Sequence, residues 1–225
     1  AGDDIVDVGG ESTRPGAQPV PLEEEAARVL PVVRALAHAG AVVSIDTRHA
    51  AVMGQAVKAG AWIINDVTAL TGDPESARTA ARSGAAVVLM HMLGDPRTMQ
   101  ADPRYADVTC DLLDYFAQRL AELETLGLDR ARVAVDPGIG FGKTVPHNLQ
   151  LLDELAAFHA FGCPILLGAS RKSFIGRLSK DVKPKRRLGG TLAARLGRTD
   201  AWKGALALHD VAEAFQARAI WAAVH

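Results

Sequence analysis

The sequence has few cysteines, no long apolar run and no excess of either charge. Its two cysteines, Cys110 and Cys163, are too few for a disulfide framework, so we expect a reducing, cytoplasmic compartment. No apolar stretch reaches the roughly 20 residues that a membrane-spanning helix needs. The 25 basic and 26 acidic side chains nearly cancel, which argues against nucleic acid or a membrane surface as the main partner. What remains is a globular domain with ample length for its own core.

Short apolar runs alternate with helical periodicities along the whole chain. The runs predict strands and the periodicities between them predict helices. Strands are expected at residues 5–8, 42–45, 62–64, 86–90, 133–135, 164–168 and 206–208. Helices are expected at 22–39, at 49–58, from about 74, at 108–123, at 147–160, from about 188 and at 211–223. Pro31 should kink or split the first of these helices, because proline lacks the backbone N–H that a helix interior uses.

This strand–helix alternation indicates an α/β fold with a parallel sheet. A TIM (β/α)8 barrel has eight such units in about 250 residues, whereas seven units are readable here. The chain also opens on Ala1 instead of methionine, directly before the first strand. We therefore predict one barrel domain over residues 1–225 that lacks its first βα unit, with a doubly wound open sheet as the alternative.

Residues 133–143 (VAVDPGIGFGK) combine a buried strand, a carboxylate and a glycine-rich loop. The run up to Val135 is apolar on both faces, as in a covered parallel strand, so Asp136 falls at its carboxyl end. A phosphate-binding P-loop would need glycine where Pro137 stands, and a dinucleotide fingerprint would need glycine at Lys143, so both motifs are excluded. The alternative is a structural Asp-Pro-Gly turn.

Polar side chains recur at the carboxyl ends of the predicted strands, where a barrel has its mouth. Two carboxylates, an amide and an ammonium together suit a flat, neutral heterocycle with N–H donors and ring acceptors. Arginine and histidine at the rim would add affinity for an anion. A core histidine that is simply hydrogen-bonded is the more common outcome for His91. The set comprises Arg14, Asp46, Asn65, His91, Asp136, Lys172 and His209.

Eight motifs, in order along essentially the whole chain, resemble those of the dihydropteroate synthase family. They are IVDVGGESTRPG (5–16), SIDT (44–47), IINDV (63–67), MHMLGDPRTMQ (90–100), DPGIGFGK (136–143), GASRKSFIG (168–176), RLGGT (187–191) and HDV (209–211). The resemblance implies a TIM barrel, usually a homodimer, that is the target of sulfonamide inhibitors. It also implies an enzyme that joins para-aminobenzoate to 6-hydroxymethyl-7,8-dihydropterin pyrophosphate, releasing pyrophosphate with the assistance of Mg²⁺.

The resemblance also implies roles for residues of this sequence. Catalytic roles fall to Arg14, Asp46, Lys172 and His209. The pterin site would comprise Asp46, Asn65, Val67, Met90, Asp136, Phe141, Gly168 and Lys172, with Asp136 on the amino-pyrimidine edge. The aminobenzoate site would comprise Thr13, Pro15, Phe141 and Ser170. Pyrophosphate would be held by Arg14 and His209.

Two departures from the family pattern lower the activity expected of this chain. The family's opening strand and its loop, with an asparagine that helps to hold Mg²⁺, have no counterpart, so no metal ligand is expected in these residues. The family's last strand carries an arginine two residues before the histidine, where this chain has Ala207. A non-catalytic pterin-binding homologue is therefore one alternative. A methyltetrahydrofolate–corrinoid methyltransferase is another, although its class would not need the TRP and SRK loops found here.

Overall fold

The computed structural model describes residues 4–14, 16–95, 98–196 and 204–224. Within these residues seven strands form one parallel sheet whose spatial order is the order in the chain. Each strand is hydrogen-bonded in parallel to the next. The strands are β1 (Val6–Gly9), β2 (Val43–Asp46), β3 (Ile63–Asp66), β4 (Ala86–Met90), β5 (Val133–Asp136), β6 (Ile165–Leu167) and β7 (Gly204–Leu206).

Helices separate successive strands, as the periodicities predict. A doubly wound sheet reverses its strand order at a switch point, and the order found here has no reversal, so the barrel prediction is confirmed. No helix in the described part of the chain has the length and apolar character needed to cross a membrane. The helices are α1 (Leu22–His38), α2 (Ala50–Lys58), α3 (Ser76–Ser83), α4 (Val108–Thr125), α5 (Val145–Asp153), α6 (Ser173–Leu178), α7 (Leu188–Leu196) and α8 (Val211–Val224).

Three local predictions differ from the structure. Helix α1 is not split at Pro31, because its apolar face, including Val29 and Val33, is buried in the core and offsets the lost hydrogen bond. The helix predicted at 147–160 is α5 followed by a 3-10 turn, Leu155–Phe161. Helix α5 begins early because Thr144 and His147 exchange side-chain-to-backbone hydrogen bonds at its start. Strand β7 ends at Leu206, two residues before the predicted end.

The core lies between the strands and the helices. Ile45, Ile64 and Leu89 on the strands are fully buried, as are Leu112 and Phe116 of α4. Fully burying side chains of this size stabilises a fold by about 1.5–3 kcal/mol each. Alternate strand residues project to the opposite face of the sheet. The residues that alternate with the core set therefore face away from the helices, and near the carboxyl ends of β2, β3 and β5 these residues are Asp46, Asn65 and Asp136.

Candidate active site

Strand register brings the predicted site residues to one edge of the sheet. Asp46 on β2 pairs with Asn65 on β3, and Met90 on β4 pairs with Asp136 on β5. Parallel strands present their carboxyl ends at the same edge, so these side chains share the barrel mouth. Gly168 follows β6 directly, and a Cβ on Gly168 would lie 3.7 Å from an Asp136 carboxylate oxygen. The predicted pterin residues therefore share one region.

One side of this mouth is rich in carboxylates. Asn65 Nδ2 donates a 3.2 Å hydrogen bond to Asp7 Oδ2, a partner that sequence reasoning missed. A Cβ on Gly9 would lie 3.5 Å from Asp46 Oδ2, so glycine leaves room beside that carboxyl group. Burial, followed by the charges of Asp7 and Asp66, raises the pKa of Asp46 to about 8. At neutral pH the Asp46 carboxyl group therefore holds a proton and offers both a donor and an acceptor.

The other side pairs its buried carboxylate with cations. Asp136 is 6% exposed, and its Oδ1 accepts a 2.7 Å hydrogen bond from Gly138 N. Burial raises the pKa of Asp136 to about 6, while the Gly138 N–H and the Lys172 charge oppose the rise. Burial lowers the pKa of Lys172 to about 8, and the Asp136 and Asp46 charges oppose that change. At neutral pH Asp136 is thus an anion and Lys172 a cation, whose Nζ lies 4.0 Å from the ring centre of Phe141.

Lys143 is a buried residue for which sequence analysis found no role. Its Nζ lies 3.0 Å from His91 Nδ1 and donates to the carbonyl oxygens of His91 and Phe141 at 3.3 and 3.0 Å. Burial lowers the pKa of Lys143 to about 7. Burial and then the Lys143 charge lower the pKa of His91 to about 3, so His91 is neutral and its Nδ1 accepts. This agrees with the interpretation of His91 as a hydrogen-bonded core histidine.

Glycine allows the 138–142 loop to lie against the end of β4. Gly138 has a φ of +67°, and a Cβ there would be 2.0 Å from the His91 carbonyl oxygen. Gly142 has a φ of +62°, and its Cβ would be 2.7 Å from Leu93 Cβ. A side chain at either position would push the loop off the strand end. The two glycines thus fix the placement of Phe141 and Lys143.

The predicted anion-binding residues lie at the rim. Arg14 and His209 are both exposed, and the Arg14 charge contributes to lowering the pKa of Lys172. Ser170 is buried beneath His209: its Oγ lies 3.0 Å from His209 Nδ1 and accepts a hydrogen bond from His209 N at 3.3 Å. Ser170 therefore contacts the predicted pyrophosphate residue, although the resemblance implies a role for it at the aminobenzoate site.

Thr13 lines a cavity of about 400 Å³ next to this mouth. Val67, predicted for the pterin site, lines the same cavity, so the two predicted sites adjoin there. An ion pair between Arg48 and Glu11 forms part of the wall, with N–O distances of 3.0 and 3.1 Å. Pro15, also predicted for the aminobenzoate site, lies outside the described residues.

A metal site of the usual composition is absent from the part of the chain that the structure describes. No three histidine, cysteine, aspartate or glutamate side chains are grouped there so that they could hold an ion. The carboxylates near the mouth belong instead to hydrogen bonds such as that between Asn65 and Asp7.

Comparison with known proteins gives one consistent answer. Residues 1–201 match the model of the family described as pterin binding enzyme. Dihydropteroate synthase of Escherichia coli K12 is 46% identical over 220 residues, covering 96% of this chain and 77% of that protein. The structure of Yersinia pestis dihydropteroate synthase with a sulfonamide drug superposes with a TM-score of 0.94 at 40% identity, covering 98% of this chain and 80% of that one.

A second solved structure is similar to the same extent. Xanthomonas albilineans dihydropteroate synthase with 4-aminobenzoic acid superposes with a TM-score of 0.92 at 42% identity, covering 99% of this chain and 80% of that one. The sequence motifs, the barrel and the arrangement of carboxylates and lysine at its mouth agree with these matches. This chain belongs to the pterin-binding enzyme family and, within it, to the dihydropteroate synthases.

Proposed function

We propose that this barrel mouth transfers the (7,8-dihydropterin-6-yl)methyl group from its pyrophosphate ester to the amine of para-aminobenzoate, giving 7,8-dihydropteroate and pyrophosphate. The observation that carries the assignment of the site is the buried Asp136 carboxylate under the influence of the half-buried Lys172 charge, with a protonated Asp46 and the amide of Asn65 at neighbouring strand ends. An ionised acid, a neutral acid, an amide and an ammonium together match the alternating donors and acceptors of a pterin ring. A single charge of either sign would match them less well.

Each polar group has a proposed partner on the pterin. The Asp136 carboxylate accepts two parallel hydrogen bonds from the amino-pyrimidine edge, a geometry that charge makes strong. Asp46 and Asn65 each offer a donor and an acceptor, so they donate to ring nitrogens and accept from ring N–H groups. Lys172 donates to the ring carbonyl or a ring nitrogen. Val67, Met90, Phe141 and Gly168 supply the apolar walls, and burial of the flat ring among them adds affinity.

The reaction needs no protein nucleophile, because the amine attacks the carbon directly. It needs the negative charge on the leaving group to be neutralised. The amine of aminobenzoate attacks the methylene carbon as the C–O bond to pyrophosphate breaks, and negative charge grows on the departing oxygen. Arg14 and His209 are proposed to stabilise that charge at the rim. Once the new C–N bond has formed, the nitrogen carries two hydrogens and a positive charge, and it releases one of the two protons to solvent. Ser170 holds His209 from below, so we propose that it orients the imidazole.

The aminobenzoate ring is proposed to lie between Thr13 and Phe141. The cavity beside Thr13 and Val67 supports this placement because it adjoins the proposed pterin site. Sulfonamides are proposed to compete for the same position. Mg²⁺ is proposed to arrive with the pyrophosphate, whose oxygens would supply most of its ligands, since this ion is usually bound through substrate phosphates and few carboxylates.

We further propose that residues 1–225 form one pterin-binding domain that works as a homodimer in the cytoplasm. Helix α8 supports an assembled state, because Phe215 and Ile220 are 67% and 65% exposed on it. Burying such side chains at an interface would remove apolar surface from water. Sedimentation of the purified chain measures the oligomeric state directly.

Two measurements on one preparation test the proposed function. Calorimetry with a pterin ligand reports binding, and pyrophosphate release with both substrates and Mg²⁺ reports turnover. We expect both, with release dependent on aminobenzoate and suppressed by a sulfonamide. Pterin binding without pyrophosphate release would instead assign the chain to the non-catalytic homologues, in agreement with Ala207 in place of the family's arginine.

A further inference from the structure

Arg171 stands between two residues of the proposed site and takes no part in it. Its φ is +56°, in the left-handed region that residues with a Cβ rarely adopt. Such a conformation costs free energy and persists only where surrounding contacts impose it. In the chain it separates Ser170, which contacts His209, from Lys172, which lies over Phe141. The turn at Arg171 therefore joins the proposed pyrophosphate and pterin residues.

Hydrogen bonds with three other residues, two acceptors and one donor, impose that conformation on Arg171. Its backbone N donates to Thr191 Oγ1 at 3.0 Å, and its carbonyl oxygen accepts from Arg187 Nη1 at 2.9 Å. Its guanidinium pairs in a forked geometry with Asp210, with 2.9 Å between Nε and Oδ2 and a second contact between Nη2 and Oδ1. Both backbone groups and the side chain of Arg171 are thus engaged.

The partners of Arg171 come from α7, from the turn just before it and from the loop that follows β7. Thr191 belongs to α7 and is 2% exposed, and its hydroxyl group donates to Arg187 O at 2.8 Å. Arg187 also donates to Val182 O at 2.9 Å, so its guanidinium bridges two loops. Asp210 directly follows His209. The ion pair consequently fastens the backbone of His209 to the turn that carries Lys172.

We propose that Arg171, Asp210, Arg187 and Thr191, the Arg171 network, are positioning residues that fix the spacing between Lys172 and His209. The inference rests on the proposed function, because Lys172 and His209 would hold opposite ends of one substrate. A transfer reaction loses rate when the two ends of its substrate are held in poorly matched positions, even if each end still binds. The Arg171 network does not contact the substrate itself and acts by positioning Lys172 and His209.

The ion pair of Arg130 and Glu124 offers a matched control. It has the same forked geometry, with distances of 2.7 and 2.9 Å, and it lies near the end of α4, away from the mouth. The test variants are Asp210→Asn and Arg171→Gln, alone and combined. The control variants are Glu124→Gln and Arg130→Gln. Thermal denaturation of every variant checks that the fold is retained.

Two readouts separate positioning from mere stability. We expect kcat to fall about tenfold in each test variant and no further in the double variant, because the two residues act as one unit. KM for aminobenzoate should stay within about twofold of the wild type. The imidazole ¹H–¹⁵N signals of His209, assigned with His209→Gln, should shift in the test variants and stay unchanged in the controls.

The outcomes distinguish this inference from the proposed function. A wild-type protein that releases no pyrophosphate contradicts the proposed function, and the His209 signals then decide the inference alone. His209 signals identical to the wild type in Asp210→Asn and Arg171→Gln overturn the inference. So does a kcat within twofold of the wild type in both variants, or an equal loss in the control variants.

Discussion

The two sides of the barrel mouth differ in the pKa values of their aspartate side chains. Around β1 to β3, Asp46 lies among other acids, and burial together with Asp7 and Asp66 raises its pKa to about 8. Around β5 and β6, burial raises the pKa of Asp136 only to about 6, because the Gly138 N–H and then the charges of Lys172 and Lys143 oppose the rise. The same residue type is therefore protonated on one side and ionised on the other at neutral pH. A ligand with both donors and acceptors needs both forms.

The largest expected effect comes from the side with compensating cations. In Asp136→Asn one acceptor becomes a donor that faces an N–H of the pterin. Losing one charge-assisted hydrogen bond costs about 1.5–3 kcal/mol, which is roughly ten- to over a hundred-fold in affinity. Calorimetry with a pterin ligand measures this loss, and Asp102→Asn, in an exposed ion pair with Arg104, is the control. A structural Asp-Pro-Gly turn predicts lower thermal stability at unchanged pterin affinity.

Lys143→Met tests how much the buried hydrogen bonds of Lys143, near Asp136, contribute to stability. The change leaves the carbonyl oxygens of His91 and Phe141 without their donor in a buried position. We expect the free energy of unfolding to fall by about 2 kcal/mol, since an unsatisfied buried acceptor costs about 1–3 kcal/mol. Urea denaturation measures the change, with Lys58→Met on the exposed face of α2 as control. Equal stability of the two variants would show that the Lys143 hydrogen bonds contribute nothing.

Asp46→Asn tests the acid-rich side through pH. The folded-state pKa of Asp46 is raised to about 8 from an ordinary 3.8, so between these values the folded state binds the proton and the unfolded state does not. This contribution to stability is present at pH 4 and is lost as pH rises towards 8. Asparagine mimics the protonated form. Between pH 5 and pH 8 the free energy of unfolding of the variant should therefore fall by about 1–2 kcal/mol less than that of the wild type, a difference reduced to allow for solvent screening.

Urea unfolding at the two pH values measures this difference. Asp102→Asn again serves as the control, because its carboxylate is exposed and should leave the wild-type pH dependence intact. Parallel losses of stability in the wild type and Asp46→Asn would mean that Asp46 is ionised in the folded protein. The contrast between the two sides of the mouth would then be lost.

The smallest expected effect comes from adding a cation at the rim. Ala207 is exposed, and its Cβ lies 3.9 Å from where a Cβ on Gly168 would be. An arginine in Ala207→Arg should therefore reach the anion proposed to lie against His209. Because the position is exposed, we expect about 0.5–1.5 kcal/mol, or a few-fold tighter pyrophosphate binding. Calorimetry with pyrophosphate measures it, and unchanged affinity would place the anion elsewhere.

Sequence patterns predict residues that immediately follow buried strands better than residues held by distant contacts. Asp46, Asn65 and Asp136 are predictable because each follows or ends an apolar run, and parallel strands end together. The role of Lys143 depends on a loop folding back onto His91, 52 residues earlier. The contacts of Arg171 with Asp210 likewise span 39 residues. No periodicity or motif spacing encodes such contacts.

Secondary structure is likewise predicted less well where local sequence patterns do not decide it. Helix α6 was not predicted, because its six residues span fewer than two helical turns and are too few to show a repeating apolar pattern. Pro31 predicts a helix break from local chemistry, and burial of Val29 and Val33 overrides it. The sequence also leads us to expect a departure from the family's composition over residues 195–207, and of this stretch residues 197–203 lie outside the described residues. The positions where local rules fail are thus those where packing or long-range hydrogen bonds decide the conformation.

The most direct test of the central claim is the titration of the two carboxyl groups themselves. ¹³C NMR of the side-chain carboxyl carbons, assigned with Asp46→Asn and Asp136→Asn, follows each group from pH 4 to pH 9. We expect Asp136 to titrate near pH 6 and Asp46 near pH 8, so that at pH 7 one is ionised and the other protonated. Both groups titrating below about pH 5, close to the ordinary range for aspartate, would contradict it.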